Sequence, residues 1–137
     1  MKDILKAVID TNVLVSAVLM PGPSFRILYH WHQEDFALII TKPIFQEYAR
    51  VLLREKFHLP VSIVNDILSE IHKKSHWVKP RLRLKVVYED ESDNRFLEAA
   101  VSGKADYIVT QDKHLLILKK FEDISIITPV EFLKQLR

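Results

Sequence analysis

Two carboxylates in this sequence directly follow short apolar runs, a position from which an acid can reach a bound ligand. Asp10 interrupts the stretch AVIDTNVLVSA, and Asp112 follows the run YIVT after one glutamine. Either acid alone is typical of a helix N-cap, because a short polar side chain accepts hydrogen bonds from the amides of a first helical turn. If both runs are parallel strands, however, the two acids stand at the same rim of one sheet, where ligands bind in such folds.

Two further acids come from other segments of the chain. Glu47 lies one turn inside a predicted helix, and Asp93 lies at the entrance of a later one, with Asp90 as the alternative in the same acidic loop. Carboxylates brought together repel one another and are costly to desolvate, so a cluster of four indicates protons or bound cations. Because these donors are all oxygen atoms, Mg²⁺ or Mn²⁺ is favoured over zinc, and such an ion retains water that can attack a phosphodiester.

The elements that would position these acids alternate between strands and helices. Apolar runs predict buried strands at 4–9, 36–40, 107–110 and 124–127. Helices are predicted at 13–20, 24–34, 44–57, 61–75, 95–103 and 115–120, and after the capping-box residues Thr128, Pro129 and Glu131. Ser24 and Thr41 are predicted helix caps, and Gly103 is predicted to end its helix. The alternation predicts an α/β fold, a three-layer α/β/α sandwich with a mainly parallel central sheet.

A basic stripe is predicted in the stretch RLRLKVV. In an extended strand Arg81, Arg83 and Lys85 project to one side, while apolar residues project to the other. Such a stripe could follow the phosphate backbone of RNA. It could equally be an edge strand whose charges prevent aggregation, and the sequence leaves both interpretations open.

Length and composition exclude several classes of protein. The chain has 137 residues, no cysteine and a formal net charge of +2, from 20 Lys and Arg against 18 Asp and Glu. We expect a single domain over 1–137, because a chain of this length can bury a sizeable core without disulfides. Thiolate zinc sites and cysteine nucleophiles are excluded. No segment approaches the ~18 uninterrupted apolar residues of a membrane span, so we expect a cytoplasmic protein.

Five pieces of the chain, spread over roughly residues 4–136, form a recognisable set: VIDTNVLVSAVL, PIFQEYARVL, DNRFLEAA, ADYIVTQDKHLL and ITPVEFL. Together they resemble the PIN-domain family, in particular its small prokaryotic members regarded as toxins of toxin–antitoxin pairs. The resemblance implies a PIN-like, Rossmann-like fold and a metal-dependent endoribonuclease that uses one or two Mg²⁺ or Mn²⁺ ions. The catalytic and metal-binding residues that it implies are Asp10, Glu47, Asp93 and Asp112. Their implied hydrogen-bonding neighbours are Asn12, Ser16 and Thr110.

The same resemblance implies partners and products. The substrate would be RNA, the products would carry a 5′ phosphate and a 3′ hydroxyl, and a small antitoxin would inhibit by occupying the acidic pocket. A homodimer is also expected. The chain departs from the family pattern at His114, where many members have an acid, and at Gln111. These departures spare the four acids, so they bear on metal affinity or metal number.

Three other functions are alternatives to a nuclease for this sequence. A phosphoryl-aspartate hydrolase needs a second acid two residues after the first, and this chain has Asn12 there. A receiver domain needs an acidic pair at this strand end, and Asp10 stands alone. The remaining alternative is a non-catalytic PIN-like domain that binds RNA or a protein.

Overall fold

Strands and helices alternate through most of the fold. The computed structural model describes residues 4–54, 57–84, 86–87 and 93–136. In chain order the elements are β1 (Lys6–Ile9), α1 (Thr11–Leu19), α2 (Pro23–His32), β2 (Ala37–Ile40), α3 (Lys42–Leu52), α4 (Val61–Lys74), β3 (His76–Trp77), α5 (Asn94–Gly103), β4 (Tyr107–Val109), α6 (Lys113–Leu116), β5 (Lys120–Phe121), β6 (Ile124–Ile127) and α7 (Pro129–Leu133).

The strands form one sheet in the order β3-β2-β1-β4-β6-β5, flanked by helices. All neighbouring strands are parallel except β5, which pairs antiparallel with β6. From β1 the chain proceeds through β2 and β3 to one edge, and later through β4 and β6 towards the other. The strand order therefore reverses between β1 and β4, the place where ligands bind in open α/β sheets. The predicted α/β fold with a mainly parallel sheet is confirmed.

The central strands are buried on both faces, which explains their continuous apolar sequence. Val8, Ile39 and Ile108 are each 0% exposed. Helix α5 lies very close to this sheet, because a Cβ atom added at Gly103 would stand 2.8 Å from Cγ2 of Ile39. The predicted end of the helix at Gly103 is confirmed, but the left-handed residue that follows it is Lys104, with φ 55°. Glycine is therefore needed here for close packing.

The predicted caps of two helices are confirmed and a third is wrong. The Thr41 hydroxyl accepts a hydrogen bond from the amide of Ile44, and Thr128 and Glu131 form a reciprocal capping box. Helix α2, in contrast, begins at Pro23 after Gly22, so the predicted cap residue Ser24 is buried inside the first turn. Among the described residues, no helix is long and apolar enough to cross a membrane.

The stretch RLRLKVV does not form the predicted strand in its described part, 81–84 and 86–87. Its amides instead donate to side chains of α5: that of Arg81 to Ser102 Oγ at 3.4 Å, and that of Leu84 to Glu98 Oε2 at 2.8 Å. Asn94 Oδ1 accepts two more amides, at 3.0 and 2.9 Å. These side chains accept hydrogen bonds from the amides that a β-sheet would otherwise use. The strand that pairs with β2 at the edge of the sheet is β3.

The predicted helix 115–120 is also partly wrong. The structure has the short helix α6, followed by Lys119 in a left-handed conformation with φ 60°. The chain then turns back as β5, where Phe121 pairs with Ile124. A local apolar pattern of this length does not distinguish a helix from a helical turn followed by a strand.

Candidate active site

A pocket of about 210 Å³ opens beside the carboxyl ends of β1 and β4. The four acids predicted from the sequence all line it, although they come from four separate segments. Its described lining residues are Asp10, Thr11, Asn12, Glu47, Arg50, Val51, Arg54, Asp93, Phe96 and Asp112. The topology explains the meeting: the amide of Asp10 donates to the carbonyl of Val109 at 3.0 Å, so the ends of β1 and β4 are held together.

Thr110 connects two of the acids. It is fully buried, and its hydroxyl donates to Oδ2 of Asp10 at 2.6 Å. The hydroxyl oxygen of Thr110 in turn accepts a hydrogen bond from the amide of Asp112 at 2.9 Å. This hydroxyl therefore orients one carboxylate and fixes the backbone that carries the other, across 100 positions of sequence. The family resemblance implies Thr110 as a hydrogen-bonding neighbour of the acids, but not that one hydroxyl contacts two of their residues.

Asp10 is an acid whose pKa is shifted by its surroundings. It is only 5% exposed. Burial raises the pKa of its carboxyl, hydrogen bonds from the Thr110 side chain and the Asn12 backbone lower that pKa, and the charges of Asp112 and Glu47 raise it. The net direction is upward, as expected for a desolvated carboxylate with like charges nearby. The pocket therefore concentrates negative charge that a cation would relieve.

Helix α3 positions Glu47 over the end of β1. The neighbouring Tyr48 is fully buried, and its hydroxyl donates to the carbonyl of Ile9 at 2.5 Å, one residue before Asp10. Burial raises the pKa of Tyr48, with further contributions from Asp10 and Glu47, so its phenol keeps the proton that it donates. The sequence pattern assigned Tyr48 only to the apolar face of the helix, and nothing in that pattern reveals the hydrogen bond.

The Glu47 carboxylate is 12% exposed, accepts one hydrogen bond and lies near two guanidinium groups. The hydroxyl of Thr11 donates to its Oε2 atom. Its Oε1 atom lies 3.9 Å from Nη2 of Arg50 and 3.8 Å from Nη1 of Arg95. Neither Thr11 nor Arg95 is predicted from the sequence as part of the site. Thr11 could have been suspected from its place beside Asp10, whereas the approach of Arg95 depends on the packing of α5 against α3.

The remaining predicted residues differ in their relation to the pocket. Asp93 is 4% exposed and directly precedes α5. Asp112 is half-buried, and its Oδ1 atom accepts the amide of His114 at 2.8 Å, so it also caps α6. Asn12 lines the pocket with its side chain exposed. Ser16 lies half-buried within α1 and is not among the lining residues.

Three predicted RNA-binding residues and the alternative acid Asp90 remain. Arg81 and Arg83 line a larger groove next to the pocket. Lys85 and Asp90 lie outside the described residues.

The donor set fits a hard divalent cation by type, because every acid contributes oxygen and the site carries desolvated negative charge. As they stand, no three acidic or histidine side chains within the described ranges have a geometry that would hold a metal ion. Three of the acids have hydrogen-bond partners in the structure: the Thr110 hydroxyl donates to Asp10, the His114 amide donates to Asp112, and the Thr11 hydroxyl donates to Glu47.

Comparisons with known proteins agree on one family and one fold. A family model described as "PIN domain" matches residues 6–114. The chain is 32% identical over 143 aligned positions to the uncharacterized protein MJ1680 of Methanocaldococcus jannaschii, covering 96% of this chain and 91% of that protein.

Two solved structures resemble the fold. The crystal structure of PAE2754 from Pyrobaculum aerophilum superposes with a TM-score of 0.65 at 18% identity, covering 96% of this chain and 95% of that one. FitAcB from Neisseria gonorrhoeae gives a TM-score of 0.47 at 16% identity, covering 90% of this chain and 98% of that chain.

Proposed function

The chain belongs to the PIN-domain family, and on that premise we propose that it is a divalent-metal-dependent endoribonuclease. PIN domains are generally nucleases. The observation that carries the proposal is that four carboxylates from separate segments line one pocket where the strand order reverses. A domain that only binds RNA or a protein gains nothing from desolvating acids beside one another, since each such contact costs free energy.

In this proposal the four pocket acids hold one or two Mg²⁺ or Mn²⁺ ions. They are Asp10, Glu47, Asp93 and Asp112. Such an ion supplies a nucleophilic water at neutral pH and neutralises the charge that develops on the phosphate. The protein supplies the orientation: Thr110 keeps Asp10 and the backbone of Asp112 in register. Asn12 and Ser16 stay predicted hydrogen-bonding neighbours.

The finer features of the proposal rest on the family resemblance. We propose that RNA is the substrate, with Arg81 and Arg83 as backbone contacts and Lys85 as a third. We further propose that the protein is a cytoplasmic toxin, that a small antitoxin inhibits it by filling the acidic pocket, and that the whole chain forms one domain. The absence of cysteine agrees with a reducing compartment.

The test is cleavage of a mixed RNA pool by the purified chain with Mn²⁺ and with EDTA. We expect cleavage only with the metal, and a loss of at least 100-fold for Asp10→Asn, since the carboxylate charge is the proposed ligand. Asp66→Asn, an exposed acid on α4, is the matched control and should retain full activity. Equal cleavage by Asp10→Asn would contradict the metal mechanism, and binding of RNA without cleavage under any condition would favour the non-catalytic alternative.

A further inference from the structure

A basic groove of about 860 Å³ lies directly beside the acidic pocket. The face of α3, the start of α5 and the segment 79–84 form its walls. Six of its lining residues are cationic: Lys42, Arg50, Lys79, Arg81, Arg83 and Arg95. Among the described lining residues Glu98 is the single acid, and it accepts the Leu84 amide at 2.8 Å. The groove therefore carries a strong excess of positive charge, although the chain as a whole is almost neutral.

The cations are presented by structure that is fixed to the fold. Lys42 and Arg50, two helical turns apart on α3, both line the groove. The segment 79–84 is held to α5 by the amides of Arg81 and Leu84. Its arginine side chains stay exposed. Positive charge on three anchored walls is the arrangement expected for a site that follows a phosphate backbone.

Two arginines stand where the groove meets the acidic pocket. Arg50 lines both cavities, and Arg95 lines the groove while it contacts Glu47 in the pocket. Both guanidinium groups approach the same carboxylate oxygen, at 3.9 and 3.8 Å, and their side chains remain 63% and 46% exposed. Ion pairs this long and this exposed are weak, so another anion can replace Glu47 at little cost.

From this juxtaposition we propose that the basic groove binds the backbone of a single-stranded RNA and that Arg50 and Arg95 exchange Glu47 for its phosphates. The planar guanidinium fits phosphate as well as carboxylate. Once the arginines turn to the strand, the Oε1 atom of Glu47 is released to bind a cation, while the Thr11 hydroxyl stays on Oε2. In the other direction, a cation on Glu47 displaces the arginines towards the strand. Strand and metal therefore strengthen each other's binding, because such coupling is reciprocal. The inference rests on the proposed function for the identity of the strand and of the cation.

The first measurement is Mn²⁺ binding to the protein alone, by isothermal titration calorimetry. Arg95→Gln removes one competitor for Glu47, so we expect this variant to bind Mn²⁺ about three- to tenfold more tightly than the wild type. Arg50→Gln should act in the same direction. The matched control is Arg83→Gln, which removes a groove cation that has no ion pair with Glu47 and should leave Mn²⁺ affinity unchanged.

The second measurement is binding of a labelled single-stranded oligoribonucleotide in EDTA, by fluorescence anisotropy at several salt concentrations. Arg95→Gln and Arg83→Gln should both weaken binding severalfold, and each should reduce the slope of log K against log salt by about 0.7. The comparison of the two variants identifies the exchange. Arg95→Gln should change both the Mn²⁺ affinity and the oligonucleotide affinity, whereas Arg83→Gln should change the oligonucleotide affinity alone. Thermal unfolding confirms that each variant is folded.

Unchanged Mn²⁺ affinity in both Arg95→Gln and Arg50→Gln would overturn the exchange. Salt-insensitive or absent oligonucleotide binding by the wild type would overturn the groove assignment, and binding of polyglutamate in its place would mean that the groove accepts an acidic protein segment. Neither readout requires cleavage. If the exchange is observed but the protein cuts no RNA, only the proposed nuclease function is contradicted. If the protein cuts RNA but the exchange is not observed, only this inference is contradicted.

Discussion

Asp10 illustrates how a residue proposed for chemistry can oppose folding. Its carboxyl is buried at the end of β1, and its surroundings raise its pKa. The folded state therefore binds the Asp10 proton more tightly than the unfolded state does. Above the raised pKa the carboxyl is ionised in both states and the full cost of holding that charge lowers the free energy of unfolding. As the pH falls through the raised pKa towards the unfolded value, this cost disappears.

Asp10→Asn should therefore stabilise the metal-free protein. The amide keeps an oxygen that can accept the Thr110 hydroxyl while the buried charge is removed. At pH 7 in EDTA we expect a gain of about 1 kcal/mol or more, which is a rise of a few degrees in Tm. The gain should shrink as the pH is lowered towards 4.

Thermal unfolding at a series of pH values measures this difference. Asp66→Asn should leave Tm nearly unchanged, because that side chain is exposed. Added Mn²⁺ should raise the Tm of the wild type by mass action and have little effect on Asp10→Asn. A lower Tm for Asp10→Asn at pH 7 would mean that hydrogen bonds to the ionised carboxyl outweigh its desolvation.

At the scale of elements, helix α5 makes two kinds of contact that its sequence pattern does not distinguish. Its Asn94, Glu98 and Ser102 side chains hold the segment before it, and its other face packs on the sheet. Gly103 lies at the closest point, where an added Cβ would stand 2.8 and 2.9 Å from Cγ2 and Cδ1 of Ile39. Ile39 is fully buried in β2 and has no free space to yield.

Gly103→Ala should therefore destabilise the protein by about 1–3 kcal/mol, because overpacking outweighs the helix propensity gained. Urea unfolding measures the change. Combining it with Ile39→Val removes the Cδ1 contact, so the double variant should cost less than the sum of the two single changes. Strict additivity, or a stabilising Gly103→Ala, would mean that α5 shifts away from β2 without cost.

At the scale of the whole molecule, two surfaces stand out. The basic groove and the acidic pocket meet at Arg50. Elsewhere, large apolar side chains are exposed on α2 and directly after α1: Phe25 at 50%, Tyr29 at 55% and Met20 at 56%. Phe25 and Tyr29 are four residues apart on one face of α2. Exposed apolar residues close together are typical of protein contacts, and they support the predicted homodimer.

The combined variant Phe25→Glu, Tyr29→Glu should convert that dimer into a monomer, because two charges on each copy would have to be buried at the contact. Size-exclusion chromatography with light scattering measures the mass. Val61→Glu, at an exposed apolar position on α4, is the matched control and should remain dimeric. A wild-type chain that is monomeric at tens of micromolar would rule the homodimer out.

Much of the fold follows from local pattern. The apolar runs that became β1, β2, β4 and β6 and the capping signals at Thr41 and Thr128 were readable because each depends on residues within a few positions. One failed prediction has its cause outside its own segment. The segment 81–84 has the alternation of a strand, yet its amides bond to side chains on a helix that comes later in the chain.

The sequence by itself determined which residues could do chemistry: acids at strand ends and helix starts, and a threonine before one of them. Only the tertiary structure decided how they meet. The reversal of strand order between β1 and β4 brings Thr110 against Asp10 over 100 positions of sequence, and the packing of α5 against α3 brings Arg95 to Glu47. A local pattern records the hydrogen bonds and periodicity of its own segment, whereas these contacts depend on which distant segments bury their apolar faces together.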